Sequence, residues 1–187
     1  MGLEKSVLQG GVGAILIAIG SIFPIIGIVG MILILASFKG IAKYYSEDDI
    51  FRNALRGLII YMIGILAISA IWIYAIVECF ARVMAFLTTS TIIGPKSFIV
   101  PFLGGLIIAT IIMFVCYFIG ALLLKRSLEI LSDKSGEILF SMAGLMLFIG
   151  AATTIILIGM IIIMIAWVIV AIAFSSLNPK SQNLPQP

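Results

Sequence analysis

The sequence predicts an all-α protein, a polytopic bundle of transmembrane helices. Hydrophobic residues make up 63% of its 187 positions and charged residues only 10%, whereas soluble domains have about 45–50% apolar and 25% charged residues. This composition reflects four long runs that carry no charge: Ser6–Phe38, Gly57–Val77, Ser97–Leu124 and Ile138–Pro179. At about 1.5 Å of rise per residue, each run can cross a hydrocarbon core of about 30 Å as a helix.

The last run, Ile138–Pro179, has 42 residues and would measure about 63 Å as one helix. One crossing cannot use that length, and a soluble domain of this size could not bury it. We therefore expect the run to enter the membrane, turn and return as a helical hairpin. The candidate bend positions are Gly150–Thr154 and Gly159.

The first run, Ser6–Phe38, allows two interpretations around Pro24, which cannot donate a backbone hydrogen bond inside a helix. In one, residues 8–23 and 25–44 are the two arms of a second hairpin. In the other, a single long tilted helix bends at Pro24. The recurrence of Gly13, Gly20 and Gly27 every seven residues favours the single helix, because it places the three on one face.

The two central runs predict one full-length helix each. Gly57–Val77 is the cleanest of them, and Ser97–Leu124 contains Pro101 near its start. We interpret residues 39–56 and 125–137 as the charged connectors that precede and follow this central pair. Ser46, three residues before Asp49, resembles a capping box, which predicts that a helix starts at about Glu47.

The distribution of positive charge favours six spans, two hairpins flanking two full-length helices, over an alternative of four. With six spans and both termini in the cytoplasm, nine Lys and Arg lie inside and two, Arg82 and Lys96, lie outside. With four spans the count becomes seven against four. The nine inside residues are Lys5, Lys39, Lys43, Arg52, Arg56, Lys125, Arg126, Lys134 and Lys180.

We assign residues 1–177 to a single transmembrane helical domain. Residues 178–187 form a polar, proline-rich tail, which we expect to be disordered. A weak internal repeat also relates the two connectors, since 39–46 superposes on 125–132 without gaps. Duplication and chance similarity both explain that superposition.

The residue inventory excludes several kinds of chemistry. The chain has no histidine, which removes bis-His haem ligation, His-containing zinc or copper sites and His-based catalytic triads. Cys79 and Cys116 lie far apart in apolar surroundings, where cysteine behaves as a small hydrophobe. The net charge of +3 is small and spread over short connectors. We therefore predict no cofactor, no metal, no nucleic-acid partner and no enzymatic activity.

Glu78 and Arg82 are the only weak candidates for a functional polar pair. They follow the run Gly57–Val77 at the i, i+4 spacing that lets side chains pair on a helix. They can form an interfacial ion pair that ends the span, or a gate at its outer mouth. Thr110, Ser141, Thr153 and Thr154 are polar but uncharged, and we expect them to bond a carbonyl one turn back or a neighbouring helix.

Several apolar motifs of the chain carry a resemblance to a known family. They are Phe23-Pro24, Tyr44-Tyr45, Ile50–Leu55, Lys134–Gly136 with Leu139-Phe140, Ala143–Leu145, Ile149–Ala151, Ile156–Gly159, Ile165–Trp167 and Ala171–Phe174. Together they resemble the mostly archaeal membrane proteins grouped as domain of unknown function 996. The resemblance extends to about Leu177 and is strongest in the last forty of those residues. It implies an archaeal plasma membrane and supplies neither an activity nor a functional residue.

Two function hypotheses follow. The leading one is a non-catalytic integral membrane protein that acts through helix packing, as an accessory or structural subunit of a larger complex or as a homo-oligomer. The alternative is a small channel or transporter for a neutral solute. Proton-coupled transport is not expected, because none of the four long apolar runs contains a carboxylate that could carry the proton. A membrane enzyme ranks third, since its acid–base chemistry would depend on Glu78 or on connector carboxylates.

Overall fold

The computed structural model describes residues 3–20, 24–89, 96–154 and 158–177. Every regular element in these ranges is an α-helix, so the predicted all-α class is confirmed. The six helices are α1 (Leu3–Gly20), α2 (Pro24–Tyr45), α3 (Asp48–Thr89), α4 (Lys96–Ser135), α5 (Ile138–Thr153) and α6 (Ile158–Ser176). Five of them, all except the 16-residue α5, are long and apolar enough to cross a membrane.

The charged segments interpreted as connectors are mostly helical, which corrects the sequence interpretation. The first contributes to the end of α2 and the start of α3, and nearly all of the second belongs to α4. Lys, Arg, Glu and Leu, which are common there, are good helix formers, so a change in polarity did not mark a helix end. As a result α3 and α4 have 42 and 40 residues, about 60 Å each.

Two short junctions share one design: residues 46–47 between α2 and α3, and residues 136–137 between α4 and α5. Ser46 and Gly136 both adopt left-handed backbone conformations, with φ of 54° and 75°, which terminate α2 and α4. Glu47 donates its backbone N–H to the Ala42 carbonyl at 2.9 Å, and Gly136 donates to Ser132 at 2.8 Å. The predicted helix start at about Glu47 is confirmed, since α3 begins at Asp48, but Ser46 closes α2 instead of capping α3.

The described chain divides into two compact units. Unit 1 comprises Met1–Ile59 and Phe118–Pro187, and unit 2 comprises Ile60–Tyr117. Helices α3 and α4 contribute residues to both. The assignment of residues 1–177 to one domain stays a prediction, and the tail 178–187 lies outside the described residues.

The core of unit 1 is built around three fully buried aromatic rings, which we call the phenylalanine cluster (Phe38, Phe140 and Phe174). The Phe174 ring lies 6.2 Å from that of Phe38 and 5.1 Å from that of Phe140, both edge-on. Aromatic pairs favour such edge-to-face geometry. The cluster joins α2, α5 and α6 at one level of the unit.

Helices α1 and α2 pack along a seam of small residues, the α1–α2 seam. A Cβ at Gly13 would lie 2.8 Å from the Ile34 amide nitrogen, and one at Gly30 would lie 2.7 Å from the Ile17 amide nitrogen. Gly20 and Gly27 face each other across the same seam. The seven-residue glycine spacing thus does not align one continuous helix but places glycines on two facing helices.

Helix α5 makes two close contacts in unit 1, one with α4 and one with α6. A Cβ at Gly144 would lie 3.2 Å from the Lys125 Cα. A Cβ at Gly150 would lie 3.1 Å from the Gly159 carbonyl oxygen. The predicted bend positions Gly150–Thr154 and Gly159 lie at the end of α5 and the start of α6, and residues 155–157 fall outside the described chain.

Unit 2 consists of the second part of α3 and the first part of α4, packed against each other. The rings of Tyr61 and Tyr117 stack at 4.0 Å with an interplanar angle of 11°. A Cβ at Gly64 would lie 3.1 Å from the Cys116 Cβ. Among the described residues of this unit, only Gly64 and Ala109 are buried.

Candidate functional site

Glu78 and Arg82, the candidate pair from the sequence, lie on α3 in unit 2. Arg82 donates from Nη2 to Glu78 Oε1 at 3.0 Å. The Glu78 side chain is 33% exposed and the Arg82 side chain is 20% exposed. The helix alone brings them together, since residues four apart share one face. The arrangement offers a charge pair that can end an apolar span or interact with a polar group.

The pair also marks a length along α3. From Arg56 to Glu78 the helix rises over 22 residues (78 − 56), or about 33 Å. The uncharged run Gly57–Val77 fills this interval, which matches a hydrocarbon core of about 30 Å. The run is therefore long enough for one bilayer crossing.

Three of the four uncharged polar residues, the threonines, behave as expected from sequence. Thr110 donates its hydroxyl to the Leu106 carbonyl at 2.7 Å, Thr153 to Ile149 at 2.8 Å, and Thr154 to Gly150 at 2.8 Å. Each bond reaches one turn back along the same helix, where it satisfies the hydroxyl within apolar surroundings. These three threonines are thus satisfied within their own helices.

Sequence reasoning missed a group of buried polar atoms at one end of the α1–α2 seam. The hydroxyls of Ser6 and Ser37 are fully buried, and with Gln9 Oε1 they have no hydrogen-bond partner within the described part of the chain. A Cβ at Gly10 would lie 2.5 Å from Ser37 Oγ, and Ser6 Oγ lies against Gly40. The glycines at positions 10 and 40 are the sequence signal, because each leaves room for a hydroxyl opposite.

The start of α3 and the end of α4 carry a second polar group within unit 1. Ser127 donates its hydroxyl to the Ile50 carbonyl at 2.7 Å across the two helices. Lys134 Nζ lies 3.1 Å from Glu47 Oε2 and links the two junctions. These contacts place the charged ends of α3 and α4 side by side, which the sequence did not show.

The comparisons with known proteins identify a family and an uncharacterized relative. The family described as "Protein of unknown function (DUF996)" matches residues 26–168. The uncharacterized protein MJ1644 of Methanocaldococcus jannaschii is 28% identical over 186 residues, which cover 98% of each chain. No solved structure matches. The family match covers most of the chain, and the protein belongs to the DUF996 family of proteins of unknown function.

Proposed function

We propose that this protein is a multi-pass integral membrane protein without catalytic activity, an accessory or structural subunit that acts through helix packing. The observation that carries this proposal is the α1–α2 seam, where glycines let two backbones approach within contact distance. Small residues at helix interfaces are the means by which membrane helices associate. The contact between Gly150 and the Gly159 carbonyl repeats this mode between α5 and α6.

The bilayer position follows from the charges on α3 and α4. Arg52, Arg56 and Arg126 are exposed, and an exposed guanidinium in hydrocarbon costs several kcal/mol. They cannot lie at mid-membrane, so the hydrocarbon begins just past Arg56 on α3 and just before Lys125 on α4. We propose that α3 and α4 are the two full crossings, with the Glu78–Arg82 pair at the far interface.

The α5–α6 pair then reaches only part of the way across. Gly144 packs on the Cα of Lys125, so it lies at the level where the hydrocarbon begins. From Gly144 to Thr153 the helix rises over nine residues (153 − 144), or about 14 Å. This is roughly half the hydrocarbon thickness. The pair therefore enters and leaves the membrane on the same side.

The α1–α2 pair reaches a similar depth. Phe38 and Phe140 both contact Phe174, so they lie at one level. Gly27 lies 11 residues before Phe38 (38 − 27), about 16 Å deeper, and Gly144 lies about 6 Å deeper than Phe140. The Gly27 end thus lies about 10 Å past the hydrocarbon boundary. The sequence predicted two hairpins flanking two full-length helices, counted as six spans, and we propose that both hairpins are re-entrant pairs.

Depth measurements test this arrangement. Single cysteines at Ala152 (exposed, near the end of α5) and Leu66 (62% exposed, midway along Gly57–Val77), in a background lacking Cys79 and Cys116, would carry a fluorophore in lipid vesicles. Quenchers at known depths should place both probes near the bilayer centre. Labelling of Ala152→Cys in intact cells by a membrane-impermeant reagent would instead establish a full crossing and refute the re-entrant pair.

We further propose that both termini and both junctions face the cytoplasm in the plasma membrane. The support is the charge count of nine Lys and Arg against two and the archaeal relative. A tag at the C-terminus should be protected from protease in intact cells and cut in inside-out vesicles. Cleavage in intact cells would overturn this orientation.

The packing role makes a separate prediction about mass. After mild solubilisation, native mass measurement should find the chain in a complex, with itself or with co-purifying subunits. A monomer with no reproducible partner in several detergents and in native nanodiscs would exclude the accessory or oligomeric role. The membrane placement would survive that result, because it depends on depth and not on partners.

A second candidate function, passage of a neutral solute, is favoured by one observation. Ser6, Gln9 and Ser37 provide buried oxygens without partners within the described residues, and such groups cost about 1–3 kcal/mol each. A polar, uncharged solute or water could satisfy them. Proteoliposomes should then show glycerol or urea flux above empty vesicles, lowered by the double substitution Ser6→Ala and Ser37→Ala. Flux equal to that of empty vesicles would exclude this function.

A further inference from the structure

The cationic side chains at the charged ends of α3 and α4 fall into two classes. Lys125 and Lys134 form ion pairs with acidic residues of the chain, at 3.4 Å to Glu129 and 3.1 Å to Glu47. The three arginines of the same region make no ion pair or hydrogen bond among the described residues. They are Arg52, Arg56 and Arg126, and all three are exposed.

The three arginines lie within a narrow band of unit 1. The bond from Ser127 to the Ile50 carbonyl brings Arg126 to the part of α3 that contains Arg52. A Cβ at Gly57 would lie 2.9 Å from the Gly120 carbonyl oxygen, which fixes the same side-by-side alignment one to two turns deeper. The three arginines therefore lie within about two helical turns of one another along the aligned helices.

This band lies next to the apolar spans, and the acidic residues lie farther out. Arg56 immediately precedes the uncharged run that begins at Gly57, and Arg126 comes two residues after the other run ends at Leu124. Asp48 and Asp49 stand at the start of α3, about one turn beyond Arg52. Moving outward from the hydrocarbon along these helices, the unpaired arginines therefore come first and the carboxylates follow.

We propose that Arg52, Arg56 and Arg126 form an arginine belt that binds the phosphate groups of anionic phospholipids in the adjoining leaflet. Lipid phosphates lie at the edge of the hydrocarbon, the level at which the belt lies. A guanidinium presents a planar fork of N–H donors that matches phosphate oxygens bidentately, and it is more weakly hydrated than an ammonium. The lysines of the region are already neutralised by Glu47 and Glu129.

The belt rests on the membrane position proposed above, yet it can fail independently. A protein with the same crossings could carry its arginines as topology signals that bind no particular lipid. Selective retention of anionic lipid distinguishes these cases. If an acidic partner protein occupied the belt instead, the purified protein would show no selectivity for anionic lipid. The same measurement therefore distinguishes this case as well.

The test compares two variants with equal charge change. The full-length protein, R56Q/R126Q and K125Q/K134Q are purified in mild detergent with phosphatidylglycerol or phosphatidylcholine, and bound lipid is measured by native mass spectrometry. Wild type should retain phosphatidylglycerol over phosphatidylcholine. Basic residues at a membrane surface contribute roughly fivefold each in affinity, so R56Q/R126Q should lose about 25-fold for phosphatidylglycerol while K125Q/K134Q changes at most threefold.

Three outcomes would overturn the belt: no preference for phosphatidylglycerol in wild type, an equal loss in both double variants, or unchanged binding in R56Q/R126Q. An equal loss would mean that only net charge matters. Unfolding temperatures in phosphatidylcholine should be the same for wild type and R56Q/R126Q, because both arginines are exposed. Resistance of all three proteins to alkaline extraction from membranes would show that the integral membrane proposal stands whatever the lipid result.

Discussion

Helices α3 and α4 pass through two different environments, and the difference separates two kinds of stability. In unit 1 they lie among four other helices, and the core cluster of buried residues belongs entirely to this unit. In unit 2 the same two helices have only Gly64 and Ala109 buried among the described residues. Unit 1 is thus held by side-chain packing within the chain.

The stability of unit 2 must depend mainly on the environment around it. Its exposed side chains include Phe80 at 67%, Leu87 at 70% and Val100 at 70%. Lipid chains are as apolar as these side chains and remove the hydrophobic penalty of exposing them. Substitutions of the same chemical type should therefore have large effects in unit 1 and small effects in unit 2, and matched pairs can test this.

The largest contrast is expected from Phe174→Ala in unit 1 against Phe80→Ala in unit 2. Phe174 is fully buried in the phenylalanine cluster, and removing such a ring costs about 3–5 kcal/mol. Phe80 is 67% exposed, so its loss should cost less than about 0.5 kcal/mol. Reversible unfolding in mixed micelles measures both. Equal losses would contradict the division into a packed and a lipid-dependent unit.

Glycine substitutions give the next contrast. A Cβ at Gly13 would meet the Ile34 amide nitrogen at 2.8 Å and the Gly30 carbonyl at 3.0 Å, both backbone atoms that cannot rotate away. Gly13→Ala should therefore cost about 1–3 kcal/mol from overpacking. Gly104 has nothing within 4 Å of its Cβ position. Gly104→Ala should stabilise the helix by up to about 1 kcal/mol, because alanine is the better helix former. Destabilisation by Gly104→Ala would reveal an occupant against α4.

These contrasts show why some features could be predicted from the sequence and others could not. The apolar runs depend only on hydropathy, so the helices inside them were predicted. The i, i+4 pairing of Glu78 and Arg82 is local to one helix, so it was predicted too. Helix ends were harder to predict, because the charged segments 39–45 and 125–135 contain good helix formers and are helical.

Features that depend on the register between helices were not predictable. The burial of Ser6 and Ser37 requires the start of α1 to face the end of α2. One sequence alone does not show which residues of two helices face each other. The repeat shows the same limit. Sequence superposed Ser46 on Ser132, whereas the structure makes Ser46 equivalent to Gly136, the residue with the matching left-handed φ. Backbone conformation, and not residue similarity, defines that correspondence.

Hydroxyl removal sharpens the comparison within unit 1 itself. Ser127 donates to the Ile50 carbonyl at 2.7 Å, so Ser127→Ala should cost about 0.5–1.5 kcal/mol. Ser37 is equally buried but lacks a partner in the described chain, so Ser37→Ala removes no bond and should be neutral or stabilising. Thermal unfolding of both variants in one detergent gives the difference. A clear loss in Ser37→Ala would mean that its hydroxyl is satisfied by a bound molecule.

The smallest expected effect concerns Glu78 in unit 2. The side chain is 33% exposed and pairs with Arg82 within one helix, and such i, i+4 pairs contribute about 0.3–0.5 kcal/mol. Glu78→Gln should therefore change the unfolding free energy by less than about 0.5 kcal/mol and leave the oligomeric state unchanged. Lys134→Gln, which removes an ion pair that is 46% and 31% exposed in unit 1, is the matched control and should behave alike. If Glu78→Gln instead alters solute flux or assembly while Lys134→Gln does not, Glu78 takes part in a gate at the far interface, and unit 2 contributes more than a membrane anchor.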